Sequence, residues 1–92
     1  MKNSQINPKE RQLEFSNEME EHVLLLHNDD INTFDFVIDS LVEVCEHDSE
    51  QAEQCAYITH YKGKCDVKVG SYDYLKPMRN SLISRGLSVT IE

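Results

Sequence analysis

Four aliphatic residues in a row, Val23-Leu24-Leu25-Leu26, lie between His22 and His27 and are closed by Asn28-Asp29-Asp30. They constrain this chain more than any other stretch. A short apolar run with no polar alternation reads as a strand buried on both faces, and the triplet that ends it consists of poor strand formers. The rest of the chain must then supply partner strands and a cover.

The periodicities downstream supply both. Asn32 reads as the N-cap of a helix, with Asp35 three positions on as the capping-box acid. Phe34, Val37, Ile38, Leu41, Val42, Val44 and Cys45 recur at helical spacing as its buried stripe, and His47 and Asp48 break the pattern. A second helix is expected from Asp48 or Ser49, with Glu50 favourable in its first turn. Its inner face carries Ala52, Cys55, Ala56 and Thr59, small residues that permit close packing or leave a hollow, and Gly63 is its natural stop. Cys65, Val67 and Val69 alternate with Asp66 and Lys68 as a half-exposed strand. Ser71 caps a third helix in which Pro77 either makes a kink or opens the main segment after a separate turn over residues 72–76. Leu82 and Ile83 are expected to face inward, Gly86 closes the helix, and Leu87, Val89 and Ile91 alternate as a last strand. The order βααβαβ predicts an α+β fold, a two-layer sandwich with three helices on a three-stranded antiparallel sheet. The folded part is expected over residues 20–92. Residues 1–19 are polar and aperiodic and read as a flexible tail, in which Phe15 and Met19 are the candidates for docking.

Composition narrows the function. The 92 residues suffice for one domain with a modest core. With 9 basic against 17 acidic residues the formal charge is -8, which repels nucleic acid and anionic lipid and attracts cations and basic peptide ends. No stretch has the apolar length of a membrane span, and the polar N-terminus has no apolar signal core, so a cytoplasmic protein is expected. Cys45, Cys55 and Cys65 are odd in number and evenly spaced, which argues for reduced thiols and against a zinc site. The four histidines, His22, His27, His47 and His60, include no i, i+4 pair, so neither metal nor cofactor is expected.

The stretch His27-Asn28-Asp29-Asp30-Ile31-Asn32-Thr33-Phe34 places an amide and two carboxylates side by side between a buried strand and a helix. Adjacent carboxylates repel, and a cation would relieve them. Taken alone, Asp29 and Asp30 are ordinary turn formers, and His60 near a helix end is an ordinary partner of the helix dipole. Together, Asn28-Asp29-Asp30, Phe36-Val37-Ile38-Asp39 and His60-Tyr61-Lys62-Gly63-Lys64 resemble the ClpS family in order and spacing, over residues 21–92. The resemblance implies the fold shared with the C-terminal domain of a ribosomal stalk protein. It also implies an adaptor that is not an enzyme. Such an adaptor takes N-degron proteins by a free α-amino group and a large hydrophobic first residue, Leu, Phe, Tyr or Trp, and hands them to a Clp AAA+ unfoldase of the ClpA or ClpC type. Carried over by position, Asn28, Asp29 and His60 hold the amine, with Asp30 beside them. Ile31, Asn32, Phe34, Val37, Ala56, Thr59 and Leu87 line the side-chain pocket. Asp73 and Lys76 face the unfoldase.

Several positions depart from the family pattern. Phe34 stands where a Met is common and stiffens the pocket mouth. Ala56 replaces a larger residue, and the volume freed predicts that Phe and Tyr fit at least as well as Leu. Thr59 stands where Val is usual and adds a hydroxyl, and Met78 falls where a Lys is common. The rival readings are a Cys55–His60 catalytic pair, for which no oxyanion-hole motif is visible, and a protein–protein interaction module of the same fold with no amine clamp.

Overall fold

The computed structural model describes residues 20–92, so the expected tail at residues 1–19 lies outside the described residues. The elements are β1 (His22–His27), α1 (Phe34–Cys45), α2 (Ser49–Lys62), β2 (Lys64–Gly70), α3 (Tyr72–Ser84) and β3 (Ser88–Ile91). The order is the one read from periodicity. The fold is α+β, with all three strands antiparallel in the order β2-β1-β3.

Strand β1 is central, which is why its aliphatic run has no polar alternation. Leu24 and Leu26 point into the core beneath the helices, while Leu25 is buried on the opposite face. The register against β2 slips between Leu24 and Leu25, a bulge that leaves Val67 opposite no partner. Leu41, Cys45, Ala52, Cys55, Val67, Leu75, Leu82, Leu87 and Val89 complete the core. Burial of each large aliphatic side chain contributes roughly 1.5–3 kcal/mol.

Local chemistry sets the helix ends. Thr33, not Asn32, caps α1: its hydroxyl accepts from the Phe36 backbone N–H at 3.1 Å. Asp35 is therefore at the second helical position and forms no capping box; its charge still suits the first turn. Asn32 is not free to cap because its side chain is committed elsewhere in the loop. The α1 stripe is narrower than its periodicity suggests. Leu41 and Cys45 are buried, Val37, Ile38 and Val44 are half-buried, and Phe34 and Val42 lie on the exposed flank. Beyond α1, buried His47 meets the Val67 carbonyl through Nε2 at 2.6 Å, and Lys68 Nζ donates to the Cys45 carbonyl at 2.8 Å, so β2 completes the end of α1.

Asp48 caps α2 by accepting from Gln51 N–H at 2.7 Å, and Ser71 caps α3 by accepting from Tyr74 N–H at 3.1 Å. Helix α3 runs through Pro77 as one element, which decides between the two readings of that segment. At its end, Gly86 adopts φ 92°, Gly86 N–H donates to the Ile83 carbonyl and Leu87 N–H to the Leu82 carbonyl, a Schellman closure. Leu82 is buried, but Ile83 is 51% exposed, contrary to its expected inward direction. A 100° step turns Ile83 away from the contact that Leu82 and Leu75 make with the sheet.

Candidate functional site

The two motifs meet because of strand register. Antiparallel pairing ends with His27 opposite Lys64, and Asn28 N–H donates to the Gly63 carbonyl at 2.9 Å, one step beyond the ladder. Gly63 closes α2 in a left-handed conformation, φ 98°, and its N–H donates to the Thr59 carbonyl. The Asn28-Asp29-Asp30 corner is thereby fastened against the last turn of α2, which carries Thr59 and His60.

Asp29 organises the corner. Its Oδ1 accepts from Ile31 N–H at 3.0 Å and Asn32 N–H at 2.9 Å, and its Oδ2 accepts from Asn32 Nδ2 at 3.0 Å. Burial pushes this carboxyl up, but the bonds from Asn32 N–H, Ile31 N–H and the Asn32 side chain together outweigh it and hold it below the ordinary aspartate value. Asp29 is therefore ionised at neutral pH, and Oδ2 keeps a lone pair for a further donor. Asn32 Nδ2 also donates to the Gly86 carbonyl at 3.0 Å, tying the loop to the end of α3.

These elements enclose a cleft of about 300 Å³, lined by Leu26, His27, Asn28, Asp29, Asp30, Asn32, Thr33, Phe34, Val37, Ala56, Thr59 and His60. The volume is at the small end of ligand sites. The lining combines the polar Asn28, Asp29, Asp30 and His60 with the apolar Leu26, Phe34, Val37 and Ala56. Of the residues singled out for the amine and the pocket, Asn28, Asp29, Asp30, Asn32, Phe34, Val37, Ala56, Thr59 and His60 are brought together here. Ile31 is not among them: its side chain is 88% exposed, and only its backbone N–H serves the site, through Asp29. Leu87 is also outside the lining, packed into the core as the residue after the Gly86 turn. Leu26, His27 and Thr33 line the cleft although sequence reasoning did not single them out. Their signal was adjacency, since the last strand residues and the helix cap must flank any site built on the loop between them.

An aromatic shelf borders the mouth. Phe34 stands 5.2 Å from Tyr57 and 5.2 Å from His60 between ring centroids. His60 is 4.8 Å from Tyr61, and Tyr61 stacks on Tyr57 at 5.9 Å. Asp73 and Lys76 are exposed on the first turns of α3 and are not in the cleft lining, while Met78 packs against the core. Cys55 lies on the buried face of α2 with a thiol pushed up by burial, a setting unlike that of an activated nucleophile. Among the described residues, no cluster of three or more His, Cys, Asp or Glu could hold a metal ion, and no helix is long and apolar enough to cross a membrane.

Fold and cleft thus define a small α+β domain with one mixed polar and apolar pocket at a strand–helix corner. The architecture recurs in the structure of Agrobacterium tumefaciens ClpS2 bound to L-phenylalaninamide, with a TM-score of 0.68 and 23% identity over 78% of this chain and 94% of that one. The family model for "ATP-dependent Clp protease adaptor protein ClpS" matches residues 17–90, and the chain belongs to the ClpS family of adaptors.

Proposed function

We propose that this protein is an N-degron adaptor. It grips the free α-amino group and the large hydrophobic first residue of a substrate in one cleft and delivers that substrate to a Clp AAA+ unfoldase in the cytoplasm. The observation that carries the reading is the continuity of Asn28, Asp29 and His60 with Leu26, Phe34, Val37 and Ala56 around a single cavity. An α-amine has a pKa of roughly 7.7–8.0 and presents three N–H donors. The Asn28 carbonyl, Asp29 Oδ2 and a His60 ring nitrogen are three acceptors of the matching kind. The ligand of the Agrobacterium protein, L-phenylalaninamide, has the same two features, a free amine and a large apolar side chain.

Each charge-assisted bond contributes roughly 1.5–3 kcal/mol and a buried Leu or Phe side chain about as much. After the ordering cost, the sum corresponds to roughly micromolar binding, near -8 kcal/mol. Neither half suffices alone. Asp73 and Lys76, exposed and outside the cleft lining, are the groups we assign to the unfoldase side.

The test is fluorescence anisotropy with a short Phe-initiated peptide and its N-acetylated twin. The free peptide should bind and the blocked one should not. Asn28→Ala and His60→Ala should each weaken the free peptide about tenfold or more. Asp29→Ala is a poorer probe, because it also releases the three bonds that shape the loop. Equal binding of both peptides would remove the amine clamp and leave an interaction module of the same fold.

A further inference from the structure

Among the described residues, two buried side-chain polar atoms lack a protein partner: His47 Nδ1 and Thr59 Oγ1. The second belongs to the cleft. Thr59 is 6% exposed and lines the cavity from the buried face of α2, one turn after Ala56 and immediately before His60. A threonine in a helix usually gives its hydroxyl to the carbonyl four residues back. Thr59 makes no such bond, and its own carbonyl accepts from Gly63 N–H. An unpaired hydroxyl away from water costs free energy that a partner would recover.

The surroundings say what that partner is. Thr59 shares the cleft lining with the apolar side chains of Leu26, Phe34, Val37 and Ala56. A ligand side chain that enters among these residues and satisfies Thr59 carries one hydrogen-bonding group on an apolar body. Ala56 leaves width for a ring. The group must both fit between aliphatic walls and pair with a hydroxyl that can donate or accept. A phenol does this.

We infer that Thr59 makes the cleft select tyrosine over phenylalanine as the first residue of its substrates, by pairing its buried hydroxyl with the phenol at the end of the ring. The inference rests on the amine-and-side-chain reading of the cleft and sharpens it. Phenylalanine leaves Thr59 as it is; tyrosine exchanges one bond to water for one to Thr59 and ends the deficit.

The experiment measures Kd for peptides identical except for Tyr, Phe or Leu at the first position, against the parent protein, Thr59→Val and Thr59→Ser. The parent should bind the Tyr peptide about fivefold more tightly than the Phe peptide, as one neutral hydrogen bond allows. Thr59→Val keeps the shape, removes the hydroxyl and should reverse the order, because the buried phenol then has no partner. Thr59→Ser should retain the Tyr preference. Equal affinity for Tyr and Phe in the parent, or a Tyr preference that survives in Thr59→Val, overturns the role of Thr59 while leaving the adaptor reading standing if Phe peptides still need a free amine. If no free-amine peptide binds the parent, both readings fall together.

Discussion

Replacing Asn32 with alanine should loosen the corner that holds the cleft. The side chain donates twice, to Asp29 Oδ2 and to the Gly86 carbonyl, at 3.0 Å each. The first bond is to a carboxylate and ordinarily contributes roughly 1.5–3 kcal/mol, and the second is neutral at roughly 0.5–1.5 kcal/mol. Both lie near solvent, so the lower ends apply, and the expected cost is about 2 kcal/mol. For a domain of this size that lowers Tm by about 8–16 °C. Differential scanning calorimetry at neutral pH reads the loss directly. A second signature is its pH dependence. Asp29 has a folded pKa below its unfolded one, so its contribution is fully present above the ordinary aspartate range and disappears as pH falls through the folded value. Asn32→Ala removes one of three donors but leaves the bonds from the Ile31 and Asn32 N–H groups. The variant should therefore lose less stability than the parent as pH drops below about 4. A melting temperature within about 1 °C of the parent at neutral pH, or an identical acid dependence, would show that the corner is held without this side chain.

Binding of a Phe-initiated peptide should weaken by about tenfold per pH unit above roughly pH 8, as the peptide amine deprotonates; affinity that stays flat to pH 9.5 contradicts the charge-reading clamp. Gly63→Ala should cost about 1–2 kcal/mol in urea denaturation, because φ 98° strains any L side chain although the added methyl meets no heavy atom within 4 Å. Burial pushes Cys45 up to about 11 and Cys65 up to about 12 and raises Cys55, so thiol reagents at pH 8 should label the native protein about a hundredfold more slowly than the urea-unfolded chain, and comparable rates would contradict that burial.

Asn28, Asp29 and His60 were singled out through their resemblance to the ClpS pattern, since each alone reads as an ordinary turn or helix-end residue, and the cleft brings the three together. The small face of α2 allowed either close packing or a hollow, and the structure has a cleft beside Ala56 and Thr59. The cap of α1 was not legible. Asn32 and Thr33 are both good caps, and the choice fell to Thr33 only because Asn32 is drawn to Asp29 and to Gly86, a residue 54 positions away. Ile31 and Leu87 were carried over by position in the family pattern and lie outside the cleft lining here: Ile31 projects from the turn into solvent, and Leu87 is held in the core by the Schellman closure.

Local residue order alone determined the six elements, their sequence and most of their ends, because period, caps and glycine stops act over a few residues. It also determined that an acidic corner and a histidine-bearing helix end exist. That the two form one cleft was decided only in three dimensions, by the antiparallel register that sets His27 against Lys64 and by the Asn28–Gly63 bond beyond it. The solitude of the Thr59 hydroxyl was decided there too. Whether a polar atom finds a partner depends on every neighbour that packing brings within hydrogen-bond reach, and no local pattern encodes that.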